Sequence, residues 1–428
     1  MILRWQQVDI NNNSDVDIEQ EQKGKLFRRF LSGILIGFLC SALVLSGAYL
    51  YLNYQNKVVS SVSNGALTGG LVNETTISKI QALESVIDTY YYKTDVDKEA
   101  EADGIYKGLM DSLGDPYTVY YTESELEELM NDTQGIYYGI GAYVSYDSTL
   151  NMARISGVMP GSPAESANLN IDDIIYEVDK ESTQGLTLEE VVSLIKGEEG
   201  TSVHLTLLRG SSSENIEVDV TRAKIEVPTV STEVYEDNIG YLKITEFDEV
   251  TTTQFISGMA ELRSQNIEGL IIDLRSNPGG NLATVCDIAR EILPEGVIVY
   301  TEDRDGNKEY YNCDGEKEID IPVVVLVNQY SASASEILAG AIKDYGLGKL
   351  VGKTTYGKGI VQRIFDLKDG TAVKLTVSSY FTPSGVNIHG IGIEPDIEVE
   401  FDSEAYAEDK TDTQLNKALD VMKELLDN

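Results

Sequence analysis

From Pro322 to Gly346 the chain reads Pro-Val-Val-Val-Leu-Val, then Asn-Gln-Tyr-Ser-Ala-Ser-Ala-Ser-Glu, then Ile-Leu-Ala-Gly-Ala-Ile-Lys-Asp-Tyr-Gly. A β-branched run opened by a proline and stopped by Asn328 predicts a buried strand, and Ile337, Leu338, Ala341 and Ile342 fit one face of a helix. Ser331, Ser333 and Ser335 therefore crowd a strand-to-helix turn. Small neighbours leave a hydroxyl there reachable by a bulky substrate, and a helix start supplies unpaired N–H groups that favour developing negative charge. This is a place for a nucleophile. Ser333 with Glu336 three residues on is also a capping box, the ordinary use of such a turn.

A serine hydroxyl needs a base, and the chain holds two histidines, His204 and His389. The alternation Val203-His-Leu-Thr-Leu207 puts His204 on the solvent face of a strand, and His389 lies in the turn-rich Pro383–Gly390 stretch. A Ser-His-Asp triad is disfavoured. Lysine is the alternative, if burial or neighbouring charge brings its pKa from about 10.4 to roughly 7–8. Gly352-Lys-Thr-Thr-Tyr-Gly-Lys-Gly-Ile-Val-Gln362 offers Lys358 between Gly357 and Gly359. Gln362 shares its face if the segment is extended and could hold the amine without adding charge. Lys349 and Lys353 are rivals.

Ser331-Ala-Ser-Ala-Ser-Glu-Ile337 followed by Gly357-Lys-Gly-Ile-Val-Gln362 resembles the carboxy-terminal processing proteases, the tail-specific (S41) serine peptidases with a Ser/Lys dyad. The resemblance runs from about Ile77 to the C-terminus. It implies Ser333 as nucleophile, Lys358 as base and Gln362 as the residue that orients the lysine. Arg275-Ser-Asn-Pro-Gly-Gly280 is similar to the family's oxyanion loop, which implies the amide of Gly279, or else Gly280, beside that of Ala334. The implied fold is multidomain α/β with a ClpP/crotonase-like protease core.

The formal charge of −38 over 428 residues argues against nucleic acid, which needs basic surface. No Cys/His cluster has metal-ligand spacing, and no metal or cofactor is expected. Three cysteines, Cys40, Cys286 and Cys313, are too few for a disulfide scaffold. Residues 1–25 are polar and read as a cytoplasmic tail. Phe30–Leu52 carries no charge and is long enough to span a bilayer. Lys23, Lys25, Arg28 and Arg29 precede it, so a single transmembrane helix within 26–53 would keep the N-terminus cytoplasmic and the rest outside the cytoplasm. A cleaved signal peptide ending near Ser46-Gly-Ala48 is the rival. Residues 54–75 are a Ser/Asn/Gly/Thr spacer.

Helical spacing at Ile77, Ile80, Leu83, Val86, Ile87, Ile105 and Leu109 predicts a small helical domain over 76–130, broken at Gly114-Asp-Pro-Tyr-Thr118. Asp115, before a proline at a helix end, reads as a turn former. The resemblance implies that this domain helps form a homodimer. Over 131–222 short alternating strands, Tyr138-Gly-Ile-Gly-Ala142 and Pro160-Gly-Ser-Pro-Ala164 resemble a PDZ domain, with a helix over Leu188–Ile195. That resemblance makes Tyr138, Gly139, Ile140 and Gly141 the peptide-binding loop for an apolar C-terminal tail. Residues 223–405 show strands at Ile239–Thr245, Gly269–Leu274 and Pro322–Val327 separated by helices, an α/β core whose motif loops leave strand ends. Asp273 beside Arg275 reads as a structural ion pair. Arg222, at the exit of the PDZ-like segment, is the residue the family suggests for carrying peptide occupancy to Gln362 and Lys358. Residues 406–428 hold an amphipathic C-terminal helix, Thr413–Leu426.

The expected function is a membrane-anchored serine endopeptidase that cleaves protein substrates near their C-termini. A catalytically silent PDZ adaptor and a crotonase-type acyl-coenzyme A enzyme are the alternatives; the extracytoplasmic orientation and lack of basic surface disfavour the second.

Overall fold

The computed structural model describes residues 70–210 and 214–427. The expected tail, the charge-free run 30–52 with Cys40, and most of the spacer lie outside the described residues. Among the described residues no helix is long and apolar enough to cross a membrane. The chain divides into two units, Met1–Lys98 and Glu99–Asn428.

In the first unit, α1 (Glu74–Tyr90) starts where Asn73 Oδ1 accepts the amide of Thr76 at 3.1 Å. It carries the helical spacing read from Ile77 to Ile87, and none of its residues is buried.

The second unit begins at Glu99, one residue into α2 (Lys98–Asp111), so the expected 76–130 segment is divided between the units. The helix stops before Gly114, whose φ of 68° favours glycine, and a short strand, β1 (Val119–Tyr121), follows. Helix α3 (Glu123–Gln134) begins with a capping box of Thr122 and Glu125 and ends on Gly135 in the left-handed region.

β2 (Ile136–Gly139) enters the PDZ-like segment and β9 (Ala223–Glu226) leaves it, the two paired antiparallel. Between them lie β3 (Ala142–Asp147), β4 (Met152–Val158), α4 (Pro163–Ser166), β5 (Ile174–Val178), β6 (Glu181–Ser182), α5 (Leu188–Ile195), β7 (Ser202–Arg209) and β8 (Glu214–Thr221). The sheet order is β3-β4-β5-β7-β8, with β6 beside β5. Ile140, Ile155, Ile175, Val191 and Leu205 fill a core of its own.

The core contains β10 (Val230–Tyr235), β11 (Ile239–Ile244), α6 (Glu249–Ser264), β12 (Gly269–Asp273), α7 (Leu282–Arg290), β13 (Gly296–Asp303), β14 (Lys308–Cys313) and β15 (Val323–Val327). It continues through α8 (Ala334–Asp344), β16 (Gly348–Gly352), β17 (Ile360–Asp366), β18 (Ala372–Phe381), β19 (Ile397–Glu398), α9 (Ser403–Asp409) and α10 (Thr413–Leu426). One sheet runs β10-β11-β12-β15-β16-β19, parallel from β11 onward. Residues from α6, α7 and α8 share one core with its first face, while Ala418, Val421 and Met422 of α10 pack with Ile271, Val324 and Leu326 on the other. Burial on both faces is why β15 is apolar throughout rather than alternating. Gly269 lies directly under Met422, where a Cβ would collide with Sδ.

A second sheet, β1-β18-β13-β14 with β17 on β18, was not anticipated from the sequence. Its strands mix half-buried and exposed positions, so period-2 alternation is weak, and β1 is only three residues long. Cys286 and Cys313 are both buried free thiols. Burial pushes the Cys286 thiol up to about 12.

Leu326, fully buried under α10, tests this packing. Leu326→Ala should lower stability by about 2–5 kcal/mol, read as a shift in the urea midpoint.

Candidate active site

β15 ends at Asn328, whose side chain builds the turn: Oδ1 accepts the amides of Tyr330 (3.1 Å) and Ser276 (2.9 Å). The three serines then divide by role. Ser331 Oγ donates to the carbonyl of Leu274 (2.8 Å) and accepts the amide of Asn328 (2.9 Å); Ser335 Oγ donates to the carbonyl of Asn277 (3.0 Å). Both are fully buried and tie the turn to the Arg275–Gly280 loop. Ser333 is the one residue between 331 and 342 that is not buried, and with Glu336 it forms the capping box expected from the sequence. Its backbone sits at φ 54°, ψ −112°, a strained conformation for a non-glycine residue. Two contacts hold it there. The amide donates to Glu336 Oε2 (2.8 Å) and the carbonyl accepts from the phenol of Tyr380 (3.1 Å).

Glu336 is fully buried, and four donors from two separate segments converge on its carboxylate. Oε2 takes the amides of Ser333 (2.8 Å) and Lys358 (2.9 Å); Oε1 takes the amide of Gly357 (2.7 Å) and the hydroxyl of Thr355 (2.5 Å). One oxygen therefore joins the backbones of the serine and the lysine.

The glycines flanking Lys358 have a steric reason. The 389–392 loop packs on them: a Cβ on Gly359 would lie 2.6 Å from the amide nitrogen of His389, and one on Gly357, at φ 87°, 2.9 Å from that of Gly392. The Lys358 ammonium is half-buried and lies 4.4 Å from the centroid of the Tyr117 ring. Burial first, then the charge of Lys374, brings its pKa below the ordinary lysine value, while Asp115 and Glu336 act the other way. The rival lysines differ. Lys353 is paired with Glu398 (2.7 Å) and Glu400, which hold it charged, and Lys349 is exposed.

Gln362 is not joined to Lys358. Its Nε2 donates to Thr376 Oγ1, opposite it on β18, at 3.3 Å; Lys358 precedes β17, so the alternation of an extended strand does not carry the two side chains to one face. Nor does a hydrogen bond link Lys358 Nζ with Ser333 Oγ in this arrangement.

In the glycine loop, Gly279 abuts the serine so closely that a Cβ would lie 2.8 Å from Ser333 Cβ. Its amide, however, donates to Asn277 Oδ1 at 2.8 Å. The amides of Gly280 and Ala334 have no hydrogen-bond acceptor among the described residues.

The peptide-loop residues divide as well. Tyr138 and Gly139 lie in β2, whereas Ile140 is buried and its carbonyl takes the amide of Ala164 (2.8 Å). The amides of Ile140 and Gly141 have no acceptor among the described residues, as a carboxylate-binding loop requires. Arg222 is locked within the same segment, donating to the carbonyls of Ile195 (2.7 Å) and Leu194 (3.1 Å) at the end of α5. It does not meet Gln362. His204 pairs with Asp219 (2.8 Å) and His389 is exposed; among the described residues neither imidazole is hydrogen-bonded to a serine. Asp273 is an ion-pair partner, 2.6 Å from Arg275, which also reaches Asp412 at 2.9 Å.

The Peptidase family S41 model matches residues 238–399, and a PDZ domain model matches 154–209. A carboxyl-terminal-processing protease of Synechocystis is 33% identical, covering 89% of this chain and 91% of its own length. The chain belongs to the carboxyl-terminal processing proteases of peptidase family S41. The carboxy-terminal processing protease CtpA of Bacillus subtilis is 35% identical over 85% of this chain and 76% of its own. Among solved structures, the photosystem II D1 C-terminal processing protease is 30% identical, covers 77% of this chain and 94% of that one, and superposes with a TM-score of 0.45.

In this S41 protease the capping-box spacing marks Glu336 and the glycine-loop motif contains Asn277, but neither pattern shows that the carboxylate reaches the lysine loop, and nothing local marks Tyr380. The one available signal was a carboxylate beside Ile337 and Leu338 on a helix that otherwise reads as apolar. Glu336→Gln replaces one acceptor oxygen by an NH₂ that faces donors, leaving buried groups unpaired. It should lower kcat/KM at least about 10²-fold through misplacement of the site, measured by peptide cleavage under saturating and limiting substrate.

Proposed function

We propose that this protease is a membrane-anchored serine endopeptidase with a Ser333/Lys358 dyad, acting outside the cytoplasm on protein substrates near their C-termini. The observation that carries the dyad is the shared oxygen of Glu336: it ties the one unburied serine of the turn to a half-buried lysine whose pKa is depressed.

In the reaction, the neutral amine of Lys358 takes the proton of Ser333 as Oγ bonds to the scissile carbonyl carbon. The resulting oxyanion is met by the amide of Ala334 and an amide of the glycine loop. Gly280 offers its amide directly, whereas Gly279 must first share or release the bond to Asn277. Collapse of the tetrahedral intermediate breaks the C–N bond, and the ammonium of Lys358 returns its proton to the leaving amine. Water, deprotonated by the same lysine, then attacks the acyl-enzyme and frees Ser333. Gln362 orients the lysine only after leaving Thr376. The free amides of Ile140 and Gly141 favour capture of a substrate's terminal carboxylate by the PDZ segment, with Arg222, fixed to the end of α5, as the element that a bound tail disturbs.

The membrane anchor rests on the charge-free run Phe30–Leu52 behind four basic residues. The exposed Leu83 and Val86 of α1 support a homodimer through the helical segment. Carbonate-resistant sedimentation of the full chain, lost on removing residues 1–53, tests the anchor.

Ser333→Ala and Lys358→Ala should each lower cleavage of an unstructured peptide with an apolar C-terminus by several orders of magnitude. Substantial residual activity in either would sink the dyad, and binding without cleavage by the intact protein would point to an adaptor. Because the deprotonated amine is the active form, kcat/KM should rise with pH along a limb whose midpoint lies below the ordinary lysine value of about 10.4. Activity flat with pH across that range would speak against Lys358 as base.

A further inference from the structure

The Gly114–Thr118 break reads in the sequence as a turn between helices, and Asp115 does build that turn. Its carboxylate accepts the amide of Tyr117 (3.0 Å) and the hydroxyl of Thr118 (2.7 Å). The turn is also docked at the active site. β1 pairs with β18, Val119 opposite Lys374, and Thr118 Oγ1 accepts the amide of Thr376 at 3.4 Å. Thr376 is in turn the residue opposite Gln362 and the acceptor of its Nε2. This pairing delivers the ring of Tyr117 to within 4.4 Å of the Lys358 ammonium, and the ring of Tyr121 to 5.1 Å from that of Lys374.

An aromatic face attracts an ammonium and not a neutral amine. The groups facing Lys358 come from four elements: Tyr117 and Asp115 from the turn, Lys374 from β18, Glu336 from α8, and Tyr356 from its own loop beside Tyr117. Tyr117, Asp115 and Glu336 favour the charged lysine; Lys374 and burial oppose it. Tyr117 itself stays neutral, its phenol pushed up to about 12 first by the hydroxyl of Tyr356 and then by burial. The ring holds the lysine, and the serine does not, since no hydrogen bond links Nζ to Ser333 Oγ.

We propose that Tyr117 is a positioning residue that parks Lys358 as an ammonium in a resting arrangement, from which the lysine must be released before it can take the proton of Ser333. The segment Asp115–Tyr121 thereby sets the pH at which the protease becomes active. This rests on the dyad reading, and the test separates the two.

The pKa of Lys358 is measured by NMR titration of ¹³Cε-labelled lysine in the Ser333→Ala background, and the kcat/KM–pH profile in the active protein, for Tyr117, Tyr117→Phe and Tyr117→Leu. Loss of the ring should move both the lysine pKa and the activity limb down by about half to one and a half pH units. Phe keeps the ring and should stay with the parent. Tyr117→Met replaces the Leu variant if that fails to fold. An unmoved lysine pKa in the variant without a ring, or a Phe variant that moves as far as Leu, overturns the proposal. If the lysine pKa moves but the activity limb does not, the ring contact stands, the dyad reading falls, and control of activity by Tyr117 falls with it.

Discussion

A single buried carboxylate holds the catalytic region together. Removing the charge of Glu336 from water costs several kcal/mol, and that is offset only when its lone pairs are filled. Here four donors fill them, each a charge-assisted bond worth about 1.5–3 kcal/mol. They come from the Ser333 turn and from the Thr355–Lys358 loop, which the bond from the amide of Tyr356 to the carbonyl of Ser331 also joins. The strained backbone of Ser333 persists because the carboxylate on one side and the phenol of Tyr380 on the other over-determine it.

Around that carboxylate the two sheets meet with different tasks. The parallel sheet, buried on both faces, places the Ser333 turn and the Arg275–Gly280 loop at the C-terminal ends of adjacent strands, where open α/β sheets present their sites. The second sheet supplies the lysine side of the site: β17 follows Lys358, β18 carries Lys374 and Thr376, and β1 brings in the turn with Tyr117. Lys358 thus sits among opposed neighbours, Lys374 and burial against its charge, Asp115 and Glu336 for it.

The PDZ segment enters and leaves through one paired strand couple, β2 and β9, so both of its connections reach the body at the same place. There Gln254 of α6 binds the carbonyl of Val227 and the amide of Thr229, fixing the exit chain. The loop just before α6 is bonded in turn to the glycine loop, Phe247 to the carbonyl of Gly279 and Asn281 to that of Phe247. Few backbone bonds thus separate the base of the peptide-binding segment from the amides beside Ser333.

The positions of β11, β12, β15, α5 and α10, and the choice of the Ser331–Ser335 turn and the Gly-Lys-Gly loop, were legible in the sequence. Each is written in a local pattern: an apolar run, a helical spacing, a turn residue or a cap within about ten residues. Which of three serines is left unburied, that Glu336 faces inward to the lysine loop, that Gln362 turns to Thr376, and that Tyr117 lies on Lys358 were decided by tertiary structure alone. These depend on weakly alternating strands and on pairing between β1 and β18 across most of the chain's length. Such long-range pairings leave no periodic mark in sequence, since each partner's local preference is satisfied equally well without the other.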